Sequence, residues 1–81
     1  MTFGMYCIKD ELSEYAAPVV VETEAQAKRY FRQMVETTKM MKDNPEDFSL
    51  WHVGIFESES GIIAGEKPKL IERAKGERKD D

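Results

Sequence analysis

Asn44-Pro45 is the sharpest break in this chain, and the best strand follows it directly. Proline drives the residue before it out of the helical region, so a helix arriving from upstream ends at Asn44. Beyond the break stand Leu50, Trp51, Val53, Ile55 and Phe56, the aliphatic and aromatic types that suit a pleated, half-buried surface. A strand over 49–56 is about 26 Å long. A helix over 24–42 is about 28 Å long. The match predicts one helix crossing one sheet.

The flanks complete the pattern. Thr2 to Lys9 reads as a strand, with Phe3, Met5 and Cys7 on one face and Gly4, Tyr6 and Ile8 on the other. Asp10 to Glu14 is polar and turn-like, and Tyr15 to Val21 reads as a second strand that Pro18 confines to an edge or starts late. Thr23 and Gln26 have capping-box spacing. Ala27, Tyr30, Phe31, Met34, Val35, Thr38 and Met41 then form one helical stripe. After Phe56, Gly61 suits a tight turn, and Ile62-Ile63-Ala64 begins a fourth strand. Gly65 to Pro68 interrupts it, and Lys69 to Glu72 continues it past a bulge or loop. The order is strand, strand, helix, strand, strand. It predicts an α+β fold with a mostly antiparallel sheet and the helix packed on one face.

Eighty-one residues suffice for one domain with a thin core, expected over 1–72, followed by a charged, disordered tail over 73–81. A core of this size leaves little net stability, so a partner subunit is expected. The formal net charge is −4. Residues 1–66 carry six basic and twelve acidic side chains, whereas 67–81 carry six basic and four acidic. An acidic body with a basic end confines phosphate contact to that end and to one helix face. A lone cysteine, Cys7, excludes an internal disulfide, and no apolar run is long enough to span a bilayer. The expectation is a reduced, cytosolic protein without membrane contact.

Enzymatic constellations are thin. His52 with Glu57 or Glu59 lacks a second positioned partner, and Cys7 lies within an apolar strand pattern. Asp43, Glu46 and Asp47 lack the spacing of a calcium loop. No catalytic residue, metal or cofactor is expected. Two binding readings remain open. Single-strand binders combine a basic track with stacking aromatics; Lys28, Arg29, Arg32, Lys67, Lys69, Arg73 and Lys75 are the phosphate candidates, with Tyr6 and Tyr15 for stacking. One helix covers only one sheet face, so Ile8, Trp51, Val53 and Ile55 are candidates for an uncovered face that meets a second copy, or a different protein.

Pro45-Glu46-Asp47-Phe48, then Leu50 to Phe56, then Ser58 to Ile62, resembles the central motif of a small nonstructural protein of gokushoviruses, which are single-stranded DNA bacteriophages of the microvirus family. The upstream order, with Pro18 before a β run and Ala25, Ala27 and Phe31 in a helix, is similar as well. The resemblance covers most of residues 3–63. It implies a nonstructural, DNA-binding phage protein that acts on single-stranded viral DNA during genome replication or packaging. Joined to the reading of the residues, the expectation is a non-enzymatic homo-oligomer of the host bacterial cytoplasm that binds single-stranded DNA with little sequence preference. The alternative is a regulatory or assembly module that binds a phage or host protein through the uncovered sheet face.

Overall fold

Four strands form one antiparallel sheet in the computed structural model, which describes residues 1–75. β1 (Thr2–Asp10), β2 (Val19–Val21), β3 (Phe48–Glu57) and β4 (Ile63–Arg73) lie in the order β2-β1-β3-β4. Between β2 and β3 the chain forms α1 (Glu24–Thr37), the short α2 (Lys39–Asp43) and a 3-10 turn, Pro45–Asp47. The expected α+β architecture, with one main helix on one face, is therefore the one that forms.

The capping box at Thr23 is complete. The Thr23 hydroxyl accepts from the Gln26 backbone N–H at 3.2 Å, and the Gln26 side chain accepts from the N–H groups of Thr23 and Glu22. These bonds satisfy donors that a helix start leaves without partners. Ala27 and Phe31 then point into a core made with Tyr6, Met41, Phe48 and Leu50, and Phe31 and Leu50 are fully buried. Each large apolar side chain buried this way contributes roughly 1.5–3 kcal/mol. The Arg32–Glu72 ion pair, bidentate at 2.9 and 2.6 Å, is two-thirds exposed at Arg32. Exposed pairs of this kind contribute about 1 kcal/mol or less. Apolar contact between helix and sheet, not ion pairing, holds the two layers together.

Three expectations about element limits change. The helix predicted over 24–42 breaks at Thr38, whose backbone is extended (φ −95°, ψ 118°) and whose N–H bonds to the Met34 carbonyl. The break re-aims the chain so that Met41 enters the core. The second strand shrinks to Val19–Val21. Tyr15 meets β1 only through an isolated bridge to Lys9, since Pro18, just ahead of the pairing, has no N–H to donate. The fourth strand runs unbroken through Gly65 to Pro68, because an edge strand tolerates proline and its register shifts absorb the irregular residues. It ends at Arg73, and the Ala74 N–H donates to the Phe48 carbonyl at 3.1 Å. From residue 76 onward the expected tail lies outside the described residues.

A bulge sets the faces. Met5 pairs with Gly54 and Tyr6 with His52, so Val53 is an extra residue on β3. Such an insertion resets the alternation of a strand. Leu50, His52 and Ile55 share the helix side with Ile8, Tyr6 and Gly4, their partners on β1. Trp51, Gly54 and Phe56 share the open side with Cys7, Met5 and Phe3. Two interface candidates are thereby corrected: Ile8 packs against the core, and Ile55 lies on the helix side. Val53 is the bulge itself, and Trp51 alone of the four belongs to the paired rows of the open side.

The far end of the sheet is fastened by Glu57. Its carboxylate accepts from the Glu59 backbone N–H (3.0 Å), the Met1 ammonium (2.9 Å) and the Thr2 hydroxyl (3.0 Å). These bonds hold its pKa down at about 2, from an ordinary 4.5. The same contact raises the Met1 ammonium above its usual value. A carboxylate with a lowered folded pKa stabilises the fold above its unfolded value, and that contribution disappears as pH falls through the folded one. Denaturant titrations between pH 5 and pH 2 are therefore expected to show falling stability, with a shallower fall in Glu57→Gln than in the wild type.

Candidate nucleic-acid interface

Directly paired residues of adjacent strands share a face. On that basis the open side of the sheet is a set of four cross-strand rows. The first holds Phe3, Phe56 and Ile63, and the second Val20, Met5, Gly54 and Gly65. The third holds Cys7, Trp51 and Leu70, and the fourth Tyr15, Lys9, Ser49 and Arg73. Half of the chain's eight aromatic residues stand here: Phe3, Tyr15, Trp51 and Phe56. The first two rows carry no charge. The fourth joins an aromatic ring to two cations.

The aromatic pair at the charged end is held in place from below and from the side. The Trp51 indole N–H donates to the hydroxyl of buried Ser49 at 2.8 Å. That bond satisfies the one polar atom of the ring and fixes its plane. Tyr15 meets Trp51 edge-on, with ring centres 6.0 Å apart, and remains about two-fifths exposed. Lys9 Nζ lies 5.2 Å from the Tyr15 ring centre and 5.4 Å from that of Trp51, within cation–π range of both. Glu11 stands between the row's cations, 3.4 Å from Lys9 Nζ and 3.8 Å from Arg73. Its Oε1 is buried and finds no hydrogen-bond donor. Burial pushes the nearby Cys7 thiol above its ordinary pKa, the opposite of what a nucleophile needs.

The phosphate candidates divide into paired and free cations. Lys28 lies 3.6 Å from Glu24, and Arg32 is clamped by Glu72, which raises its already high pKa. Arg73 is half-buried beside Glu11. Lys67, Lys69 and Lys75 are exposed and form no ion pair among the described residues, and the same holds for Arg29 on α1. Residues 63–75 carry four basic and two acidic side chains, whereas 1–62 carry six and eleven. β4 and its exit are thus a positive strip on an acidic body, and β4 is the edge strand that borders the Trp51 and Leu70 row.

Tyr6, a stacking candidate by sequence, is 6 % exposed. Its ring lies over Gly4, where an added Cβ would stand 2.6 Å from it, and it meets the His52 ring edge-on at 5.1 Å. Burial raises its pKa, helped by the charge of Glu24. No base reaches that ring, so Tyr15 and Trp51 are the accessible pair. Lys9, Phe3 and Leu70 of this surface were not among the candidates legible in the sequence. On the other side of the sheet, an open groove of about 340 Å³ runs between α1 and the end of β4, lined by Phe31, Arg32, Val35, Glu36, Glu72, Arg73 and Ala74. Of its charged side chains, Arg32 and Glu72 pair with each other and Arg73 lies 3.8 Å from Glu11.

Fold and surface together define a small α+β protein whose sheet is covered on one side and open, aromatic and edged with cations on the other. The chain belongs to the Phage ORF5 protein family, whose model matches residues 3–76, and it is therefore a phage protein. No curated protein and no solved structure matches it. No helix among the described residues is long and apolar enough to cross a membrane.

Proposed function

We propose that this phage protein binds single-stranded DNA along the β4 edge, with phosphates on Lys67, Lys69, Arg73 and Lys75 and bases turned onto Trp51 and Tyr15; Lys69, paired with His52 on the helix side, meets the phosphates around that exposed edge. The observation that carries the reading is adjacency: the positive strip of the described surface borders the row of half-buried Trp51, whose ring meets the exposed Tyr15 of the next row. A basic track beside stacking rings is the arrangement that takes a single strand, whose bases are free to splay onto a sheet. A duplex keeps its bases stacked inside and gains only the phosphate contacts. Stacking is indifferent to base identity, so little sequence preference follows. The resemblance to gokushovirus nonstructural proteins supplies the setting, replication or packaging of a single-stranded genome in the host cytoplasm. Arg29 and Lys28 on α1 lie on the covered side of the sheet and act as secondary contacts at most, as does Arg32, already held by Glu72.

A second reading, attachment of a phage or host protein to the open face, is favoured by the uncharged Phe3, Phe56 and Ile63 row. It requires binding that is lost in Trp51→Ala and is nearly independent of salt. DNA binding also weakens in Trp51→Ala, but it falls steeply with salt. Four neutralised phosphates give a slope of log K against log salt near −3 for a single strand. Fluorescence anisotropy of a labelled oligothymidine at several salt concentrations is expected to return that slope. Lys67→Ala with Lys69→Ala is expected to reduce it by about 1.4. A flat salt response, or equal affinity for duplex, contradicts the proposal.

Glu11 gives an independent check. It neutralises Lys9 and Arg73 at the charged end of the open face. Glu11→Gln keeps the shape and removes the charge, so it is expected to tighten oligothymidine binding several-fold in the same titration. Unchanged or weaker binding by a variant with wild-type circular dichroism counts against phosphates at this end.

A further inference from the structure

The uncharged end of the open face has a relief that matches itself. In the first row Phe56 and Ile63 stand up from β3 and β4, and Ile63 is 64 % exposed. In the next row the same two strands carry Gly54 and Gly65. A Cβ at Gly54 would lie 2.6 Å from the Ala64 carbonyl oxygen, so the floor there is backbone. A Cβ at Gly65 would meet nothing within 4 Å. A ridge and a notch therefore lie side by side, about 6.6 Å apart along the strands.

We propose that a second copy of this chain seats on these two rows, about a two-fold axis running across the strands between them. That axis places β3 over β3 and β4 over β4 with the strands reversed. Each copy's Phe56 then lies over the other's Gly54, and each Ile63 over the other's Gly65. This reciprocity is what a two-fold interface requires. Charge agrees with it: the rows hold no ionisable side chain, so they meet their own copy without repulsion despite a chain net charge of −4. The sheet edges offer no comparable site. β2 has three residues, and β4 carries Lys67, Pro68 and Lys69, residues that block strand addition. The two rows hold seven residues, fewer than the roughly 20–30 a side of a standard stable interface, so a weak, concentration-dependent dimer is expected. The rows of Trp51 and Lys9 lie beyond the overlap, at opposite ends of the pair. The dimer does not depend on the DNA reading, and it is tested without DNA.

Sedimentation velocity of the full chain, from about 1 to about 300 µM, reads the association directly. The wild type is expected to shift from monomer to dimer across that range. Gly65→Leu, which fills the notch from a position with open space above it, is expected to remain monomeric with an unchanged melting midpoint. Ile63→Asp, which removes the ridge from an exposed site, is expected to do the same. Leu12→Asp, equally exposed but in the turn after β1, is expected to dimerise as the wild type does. A wild type that stays monomeric throughout overturns the proposal. So does dimerisation of Gly65→Leu and Ile63→Asp at wild-type strength, or its loss in Leu12→Asp.

Discussion

The extra residue at Val53 decides which side chains of β3 meet the helix and which meet solvent. On the near side of the bulge, Phe48 and Leu50 point at Phe31 and Ala27, and the core closes there. Beyond it the alternation is reversed, so Phe56 and not Ile55 faces the open side. Were Val53 paired in regular alternation instead of bulged, the far half of β3 would turn its aromatic ring to the helix side and Ile55 to the open one. The cross-strand pair of Phe3 and Phe56, with ring centres 6.1 Å apart, exists because the register shifts by one. The bulge therefore places Phe56 beside Phe3 on the same open surface as Trp51.

Charge follows the same division of the sheet. Most cations on the acidic part of the chain have a carboxylate within reach: Glu24 for Lys28, Asp43 for Lys39, Glu72 for Arg32. Such pairs are exposed and add little to stability, but they cancel the local field. β4 is different. Its lysines stand free at a sheet edge, where they also prevent another strand from adding on. One set of residues thus keeps the edge unpaired and leaves a positive strip beside Trp51. The two ends of the open face differ in the same sense, one charged and one uncharged.

Much of the architecture was legible in the sequence. The Thr23–Gln26 box, the helical stripe through Phe31, the stop at Asn44-Pro45 and the turn at Gly61 (φ 76°) are local signals, and each one formed. What depended on tertiary context was not legible. Thr38 breaks the helix to carry Met41 inward, although the stripe runs straight through it. The bulge at Val53 is a property of pairing with β1; the glycine beside it, Gly54, was the one hint available, and it was read as ordinary strand. That single slip misplaced Ile55, and Ile8 and Tyr6 were assigned to the wrong side because periodicity separates two faces without saying which one a helix covers. Lys9 went unnoticed for a similar reason: its value lies in Tyr15 and Trp51, which come from two other segments.

The most direct test of this account is a map of backbone and indole amide chemical shifts as oligothymidine is added. The Trp51 indole N–H and the amides of Lys67 and residues 69–73 are expected to move together and first, while those on the outer face of α1 around Arg29 hardly change. Shifts concentrated on α1, with the Trp51 indole signal unmoved at saturation, would contradict it.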